Sequence, residues 1–224
     1  MFSKRISIFT GHFGSGKTEI AVNYALQLSK KGDKTAIVDF DIVNPYFRTA
    51  DVKDRLSEKG IRVITPVYAN TNTDVPALPS EINTLFENRD YRVVFDVGGD
   101  DLGARVLSRY RDEILKDDYE IFLVVNTRRP MTDTEDKILE MINSIEASSR
   151  LTVGSLVNNT NMLEYTSCDD VLEGQRMLER VSLETNKPIS FISVFNGIKD
   201  ELEGKVNTKV LYMQKKIRLP WQRL

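Results

Sequence analysis

Gly11-His12-Phe13-Gly14-Ser15-Gly16-Lys17-Thr18 is a complete G-x-x-x-x-G-K-[ST] run, and its reading decides the fold. It stands between an apolar stretch (Ile6, Ile8, Phe9) and one with helical spacing (Ile20, Ala21, Tyr24, Ala25, Leu28). A strand, a glycine-rich turn and a helix in that order aim backbone N–H groups into one concavity at the positive end of the helix. A polyphosphate binds in such a place. Gly11, Gly14 and Gly16 permit backbone angles and a close approach that a Cβ would block. Lys17 is expected to bridge the β- and γ-phosphate oxygens, and the Thr18 hydroxyl to ligate Mg²⁺. The whole loop, with His12, Phe13 and Ser15, is the expected nucleotide-binding segment.

Outward from the loop, apolar runs of strand length alternate with amphipathic runs of helix length. Strands are expected at 6–10, 35–40, 62–65, 92–97, 121–126, 152–158 and 189–194, and helices near 17–31, 49–59, 80–88, 104–116, 132–147 and 169–186. Val93-Val94-Phe95 and Phe122-Leu123-Val124-Val125 are continuously apolar, as strands covered on both faces must be. Gly32 and Pro188 punctuate helix ends. The alternation predicts an α/β fold, a doubly wound, mainly parallel sheet flanked by helices, and the Gly11–Thr18 motif places it in the P-loop class. One nucleotide-binding domain over 1–224 is expected, with a basic and apolar tail near 209–224. The longest irregular stretch, 66–79, holds three prolines and reads as a surface loop near the nucleotide.

Composition narrows the function classes. With 41% hydrophobic and 29% charged residues the chain reads as an ordinary globular protein. A formal net charge of −2 gives no global attraction to nucleic acid, and no nucleic-acid partner is expected. The single cysteine, Cys168, excludes an intrachain disulfide or a C-x-x-C metal site and reads as a small residue at a helix start. No apolar stretch approaches the ~18–20 residues that span a bilayer, so the cytoplasm is the expected compartment.

Ligands of doubly wound sheets bind outside the carboxyl ends of the strands. There the chain offers Asp39-Phe40-Asp41, Asp96-Val97-Gly98-Gly99-Asp100-Asp101, Asn126-Thr127-Arg128-Arg129 and Asn158-Asn159-Thr160-Asn161. Helix caps and turns account for Asp100, Asp101, Thr132 and Asp133. They account poorly for Asp39 and Asp96, which sit against apolar strand ends. A carboxylate buried there needs a cation, and Mg²⁺ on a triphosphate supplies one.

Taken together, these segments resemble the MinD/ParA branch of P-loop ATPases, related to the CbiA/CobQ proteins. The likeness is carried by the stretch from Phe9 to Asp51, with Lys34-Thr35-Ala36-Ile37-Val38-Asp39-Phe40-Asp41-Ile42 as second strand and first switch. Asp96-Val97-Gly98-Gly99 falls at the second switch, and Leu156-Val157-Asn158-Asn159 where the strand-six loop meets the base. The resemblance implies that Asp96 is the Walker B acid holding a Mg²⁺-bound water. It implies that Asp39 supports the metal site and that Asp41 orients the attacking water. It further implies that Gly98 or Gly99 brings a backbone N–H to the γ-phosphate. Lys17, Asp41 and Asp39 are thus the expected catalytic residues, and Thr18, Asp39 and Asp96 the metal set. Asn158 and Asn159 would offer donors and acceptors to a purine edge. No N-K-x-D run of guanine-specific GTPases is present, so ATP is favoured over GTP. One departure stands out: the branch carries lysine and glycine at the second and third loop positions, where this chain has His12 and Phe13. That departure bears on hydrolysis activated by dimerisation.

Several readings stay open at this level. A Mg²⁺-dependent ATPase switch, acting as a homodimer on an unidentified protein partner, leads. A small-molecule kinase or ligase of the dethiobiotin synthetase and cobyrinate amidase kind is the second, and a non-hydrolysing nucleotide-binding adaptor the third. Arg48, Arg105, Arg109, Arg128 and Arg129 lie near strand ends or switches, each a candidate internal arginine finger or a solvated surface charge. Tyr46 and Phe47, in Asn44–Arg48, could meet a partner or pack in the core. In the tail, Val210, Leu211, Met213, Ile217 and Leu219 fit docking on the domain. Peripheral membrane contact is the lesser alternative, since Pro220 interrupts the helix it would need.

Overall fold

A computed structural model of the chain describes residues 2–40, 52–65, 80–99 and 101–217, with Asp101 and Leu102 described by backbone alone. Among these residues the strands are β1 (Ile6–Thr10), β2 (Thr35–Phe40), β3 (Arg62–Ile64), β4 (Arg92–Val97), β5 (Tyr119–Val125), β6 (Ser155–Asn158), β7 (Ile189–Phe195) and β8 (Val210–Met213). They form one sheet in the order β3-β2-β4-β1-β5-β6-β7-β8. Every pairing is parallel. The α-helices are α1 (Lys17–Lys30), α2 (Lys53–Ser57), α3 (Glu81–Glu87), α4 (Asp101–Arg109), α5 (Arg111–Leu115), α6 (Glu135–Ser149), α7 (Cys168–Thr185) and α8 (Lys199–Leu202). The expected α/β architecture is the observed one.

Parallel strands force crossovers, and the crossovers cover both faces with helices. Alternate residues of each strand therefore enter two different cores. Phe9, Ile37, Val94, Phe122, Val157 and Phe191 pack under α1, with Ile20, Tyr24 and Leu28. Ile8, Val38, Phe95 and Leu123 pack on the opposite face against Leu107, Ile138, Ile142 and Leu178. The α1 side is aromatic: Phe9 and Phe122 stack at 4.9 Å, with Tyr24 edge-on to Phe9 at 5.0 Å. Tyr24 is buried among these rings, and burial raises its phenol pKa to about 12. Since α1 begins directly after the glycine loop, this packing fixes the loop against the sheet.

The chain departs from the sequence reading in a few places. The helix expected over 104–116 is two, α4 and α5, divided at Tyr110. Tyr110 stacks on Phe40 at 5.7 Å and Phe86 at 5.6 Å, which holds the chain at that residue. The helix expected from 132 starts at 135, capped by the Thr134 side chain accepting from Lys137 N. Strand β8, not expected, adds the last edge of the sheet beside β7. It buries Leu211 and Met213, and Ile217 beyond it is buried too. That is the docking expected of the tail for those residues. Val210 is only partly covered, and Leu219 and Pro220 lie outside the described residues.

Candidate functional site

β1 and α1 are the scaffold of the loop, and its three glycines supply the turn. Gly14 and Gly16 have φ of 78° and 85°, and Gly11 of 153°, angles that side chains with a Cβ rarely adopt. A Cβ on Gly11 would sit 2.4 Å from Val124 O, so the loop also hugs the end of β5. Ser15 N donates to His12 O at 3.0 Å and closes the turn. Gly16 is the N-cap of α1 and gives no side-chain cap. The α6 and α7 starts, by contrast, are capped by Thr134 and Ser167. The first-turn N–H groups of α1 are thus left for an external acceptor. Lys17 and Thr18 are both nearly buried at the mouth of this helix. Ser15 Oγ is buried with no hydrogen-bond partner among the described residues, an arrangement costing roughly 1–3 kcal/mol unless a ligand satisfies it. Loop, uncapped helix and buried hydroxyl fit a phosphate chain.

Asp39 and Asp96 are brought together. They are register partners on neighbouring strands β2 and β4, 2% and 0% exposed. Two carboxylates side by side in an apolar sheet favour a cation between or near them. Among the described residues, no group of three or more His, Cys, Asp or Glu could hold a metal unaided. A divalent ion here would take ligands from phosphate and water as well, the habit of Mg²⁺. Asp41 lies outside the described residues, as do Asp100 and 44–48.

The segment after β4 rests on the loop. Thr10 Oγ1 donates to Gly98 O at 3.5 Å. A Cβ on Gly99 would fall 1.9 Å from Gly11 O, so only glycine lets the two backbones touch. Gly103 in α4 packs on Gly98 in the same way, its Cβ position 2.3 Å from Gly98 O. The loop, the segment after β4 and α4 are in close backbone contact.

The two asparagines after β6 part company. Asn158 Nδ2 donates to Val171 O and Gln175 Oε1 on α7, and its Oδ1 accepts from Thr160 N. Asn159 turns the other way: its Nδ2 donates to Ser15 O at 2.6 Å, and its Oδ1 accepts from Ser193 Oγ at 2.9 Å. Asn159 therefore ties the glycine loop to β7. It also lines a cavity of about 190 Å³ at the carboxyl ends of β6 and β7, with Asn161, Thr166, Phe195, Ile198 and Met213. Asn158 does not line it. Loop and cavity are neighbours sharing one side chain.

The arginines separate as well. Arg105 and Arg109 are exposed on α4. Arg128 forks onto Asp170 at 2.6 Å and Glu173 at 2.5 Å, pinning the post-β5 turn to α7. Hydrogen bonds from the Ser167 hydroxyl and N–H, then from Arg128, hold the Asp170 carboxyl below its usual range. Arg129 instead donates through Nε to Gly14 O at 3.2 Å. Arg48 lies outside the described residues. His12 Nδ1 approaches Phe13 O at 3.2 Å, and Phe13 is 60% exposed at the loop tip. Sequence reasoning did not single out the Asn159 strut, Gly103, or Glu19 on α1. Gly98 and Gly99 stand out in the sequence as an approach to a γ-phosphate, whereas the contact of Gly99 with the Gly11 backbone is visible only in the structure.

Comparison with known proteins agrees on the architecture. FlhF complexed with GTP and Mg²⁺ matches at 15% identity and TM-score 0.52, covering 97% of this chain and 70% of that one. The 54 kDa signal recognition particle protein of Aeropyrum pernix K1, complexed with GDP, matches at 20% identity and TM-score 0.54, covering 84% and 40%. The signal recognition particle receptor FtsY of Elizabethkingia anophelis matches at 17% identity and TM-score 0.53, covering 96% and 63%. The chain thus spans less than two thirds of the latter two. No family model matches the sequence, and no curated protein does. The likeness is one of fold: a parallel α/β sheet of the P-loop nucleoside-triphosphatase type.

Proposed function

We propose that the chain binds a Mg²⁺–nucleoside triphosphate, with ATP preferred, hydrolyses it slowly and uses its nucleotide state to switch contact with another protein. The observation that carries this reading is the uncapped α1 behind a three-glycine loop, with Lys17 and Thr18 buried at its mouth. The β- and γ-phosphates would lie in the loop against Lys17. Thr18 and Asp96 would hold Mg²⁺, supported by Asp39, and the ion would neutralise phosphate charge. The base would enter the cavity beyond Asn159, at the carboxyl edge of the sheet where such ligands bind. There the polar atoms of Asn159 and Asn161 could meet a purine edge. Asn158, bonded to α7, supports that wall from behind.

Phosphoryl transfer asks chiefly for positioning and charge neutralisation. Lys17 would provide charge, and Asp41, by the MinD/ParA resemblance, would orient water. The backbone contact of Gly99 with Gly11 supports a switch, because whatever occupies the loop is felt directly by the segment leading into α4. A homodimer and a protein partner are the arrangement that resemblance suggests. GTP is the second reading on base identity, since FlhF and the 54 kDa protein are each complexed with a guanine nucleotide.

Phosphate release measured with ATP and with GTP, beside light scattering in each nucleotide, tests the proposal. Slow turnover without an added small molecule, with mass doubling in triphosphate, is expected. Turnover only with an added metabolite, which becomes phosphorylated, would replace the switch by a kinase. Tight occupancy with no turnover would leave an adaptor.

A further inference from the structure

The phosphate loop holds one permanent cation, Lys17, against a ligand of several negative charges. Position 12 is a histidine and position 13 a phenylalanine, so more positive charge must come from outside the loop. The turn after β5 is built to deliver it. Asn126, fully buried, accepts at its carbonyl from Arg129 N and from Thr132 Oγ1, and at Oδ1 from Arg128 N. Thr132 N in turn donates to Arg129 O at 2.9 Å. This pinned turn lays the Arg129 side chain across Gly14. A Cβ on Gly14 would come within 3.3 Å of Nε and 3.5 Å of Cζ, so the absence of a side chain there makes room for the guanidinium.

Arg128, one residue earlier, is spent on Asp170 and Glu173. The Arg129 side chain makes no ion pair among the described residues, and its one hydrogen bond there is Nε to Gly14 O. A guanidinium carries five N–H donors in a rigid fork, suited to phosphate oxygens. Nε anchors this one to the loop, which leaves the Nη donors for a ligand in it.

We propose that Arg129 is a phosphate-binding residue supplied from the same chain, adding a second fixed positive charge to the loop beside Lys17. The inference rests on nucleotide binding as proposed above and names a residue for it. Charge-assisted hydrogen bonds of this kind make about a 10- to 100-fold difference in affinity when the donor is removed.

The test uses the full chain with Mg²⁺ and N-methylanthraniloyl ATP, GTP and ADP, read by fluorescence anisotropy at several salt concentrations. Arg129→Gln should weaken the better-bound triphosphate by about 10- to 100-fold and flatten its salt dependence, with the thermal midpoint of the ligand-free protein unchanged. Arg128→Gln, in the same turn, should shift triphosphate affinity by less than about threefold while loosening the contact with α7. Triphosphate binding by Arg129→Gln within about twofold of the unaltered protein would overturn the inference and leave nucleotide binding standing. Equal losses in the two variants would overturn it too, assigning the effect to the shape of the turn. Absence of binding by the unaltered protein would instead bring down the nucleotide reading itself.

Discussion

Gly16 and Asn159 meet at the point where the site is most tightly specified. Gly16 holds φ at 85°, and a Cβ on it would lie 2.3 Å from Asn159 Nδ2. Gly16→Ala must therefore strain the backbone by roughly 1–2 kcal/mol and also push Asn159 off Ser15 O. Asn159→Ala alone strands the Ser15 carbonyl, at about 1–3 kcal/mol, while the Ser193 hydroxyl keeps Asn158 O as an acceptor at 3.2 Å. We expect the double variant to be less destabilised than the sum of the two, because removing the amide relieves the clash. Urea denaturation of the three variants measures this, and strict additivity would show that the strut does not bear on the loop. At this scale the loop was readable because its letters and spacing state a backbone chemistry. The strut was not, since its partners lie 144 and 34 residues away and an asparagine after a strand looks like any turn residue. The pairing of Asp39 with Asp96 was half readable: both carboxylates were conspicuous at apolar strand ends, but their adjacency depends on strand order.

Among the elements, α1 does more than present the loop. Glu19, in its first turn, accepts at Oε1 from Lys216 N at 2.6 Å and at Oε2 from Ile217 N at 3.0 Å. Asn23, one turn on, accepts from Gln214 N and donates to Gln214 O. The segment after β8 is thus zipped to the helix that carries Lys17 and Thr18. Burial pushes the Glu19 carboxyl above its usual range, opposed by these N–H donors. A raised carboxyl holds its proton to higher pH when folded than when unfolded. Its own contribution to stability therefore falls as pH rises from the ordinary glutamate range through the raised value. Replacing Glu19 by Gln puts an amide donor against one of the two N–H groups. Faster amide hydrogen exchange at Lys216 and Ile217, with the β1 amides unaffected, is the expected result; unchanged protection would mean β8 alone holds the segment. Strand β8 escaped sequence reading because four residues among lysines carry little periodicity. The break between α4 and α5 escaped it because Tyr110 is held by rings from distant elements, which local propensity does not see.

For the whole molecule, alternation of apolar runs and amphipathic helices made a parallel α/β sheet legible, since continuous Val, Ile and Phe runs suit only strands covered on both faces. Strand order was not legible. Hydrophobic runs tell a strand that it is buried, not which neighbour it has. The order places β1 between β4 and β5, and that placement sets the loop beside Asp96 on one side and the Arg129 turn on the other. It also puts the β6–β7 cavity one strand further along the same edge. A triphosphate laid across that edge would be gripped by groups from β1, β2, β4, β5 and β6, each contributing a short carboxyl-end segment.

The measurement closest to this claim is isothermal titration calorimetry of the folded protein with ATP and GTP, with and without Mg²⁺, repeated for Lys17→Ala. Saturable heat with at least one triphosphate, strengthened by Mg²⁺ and lost with Lys17, is the expected result. No heat from either nucleotide, or equal heat after Lys17 is removed, would contradict the account.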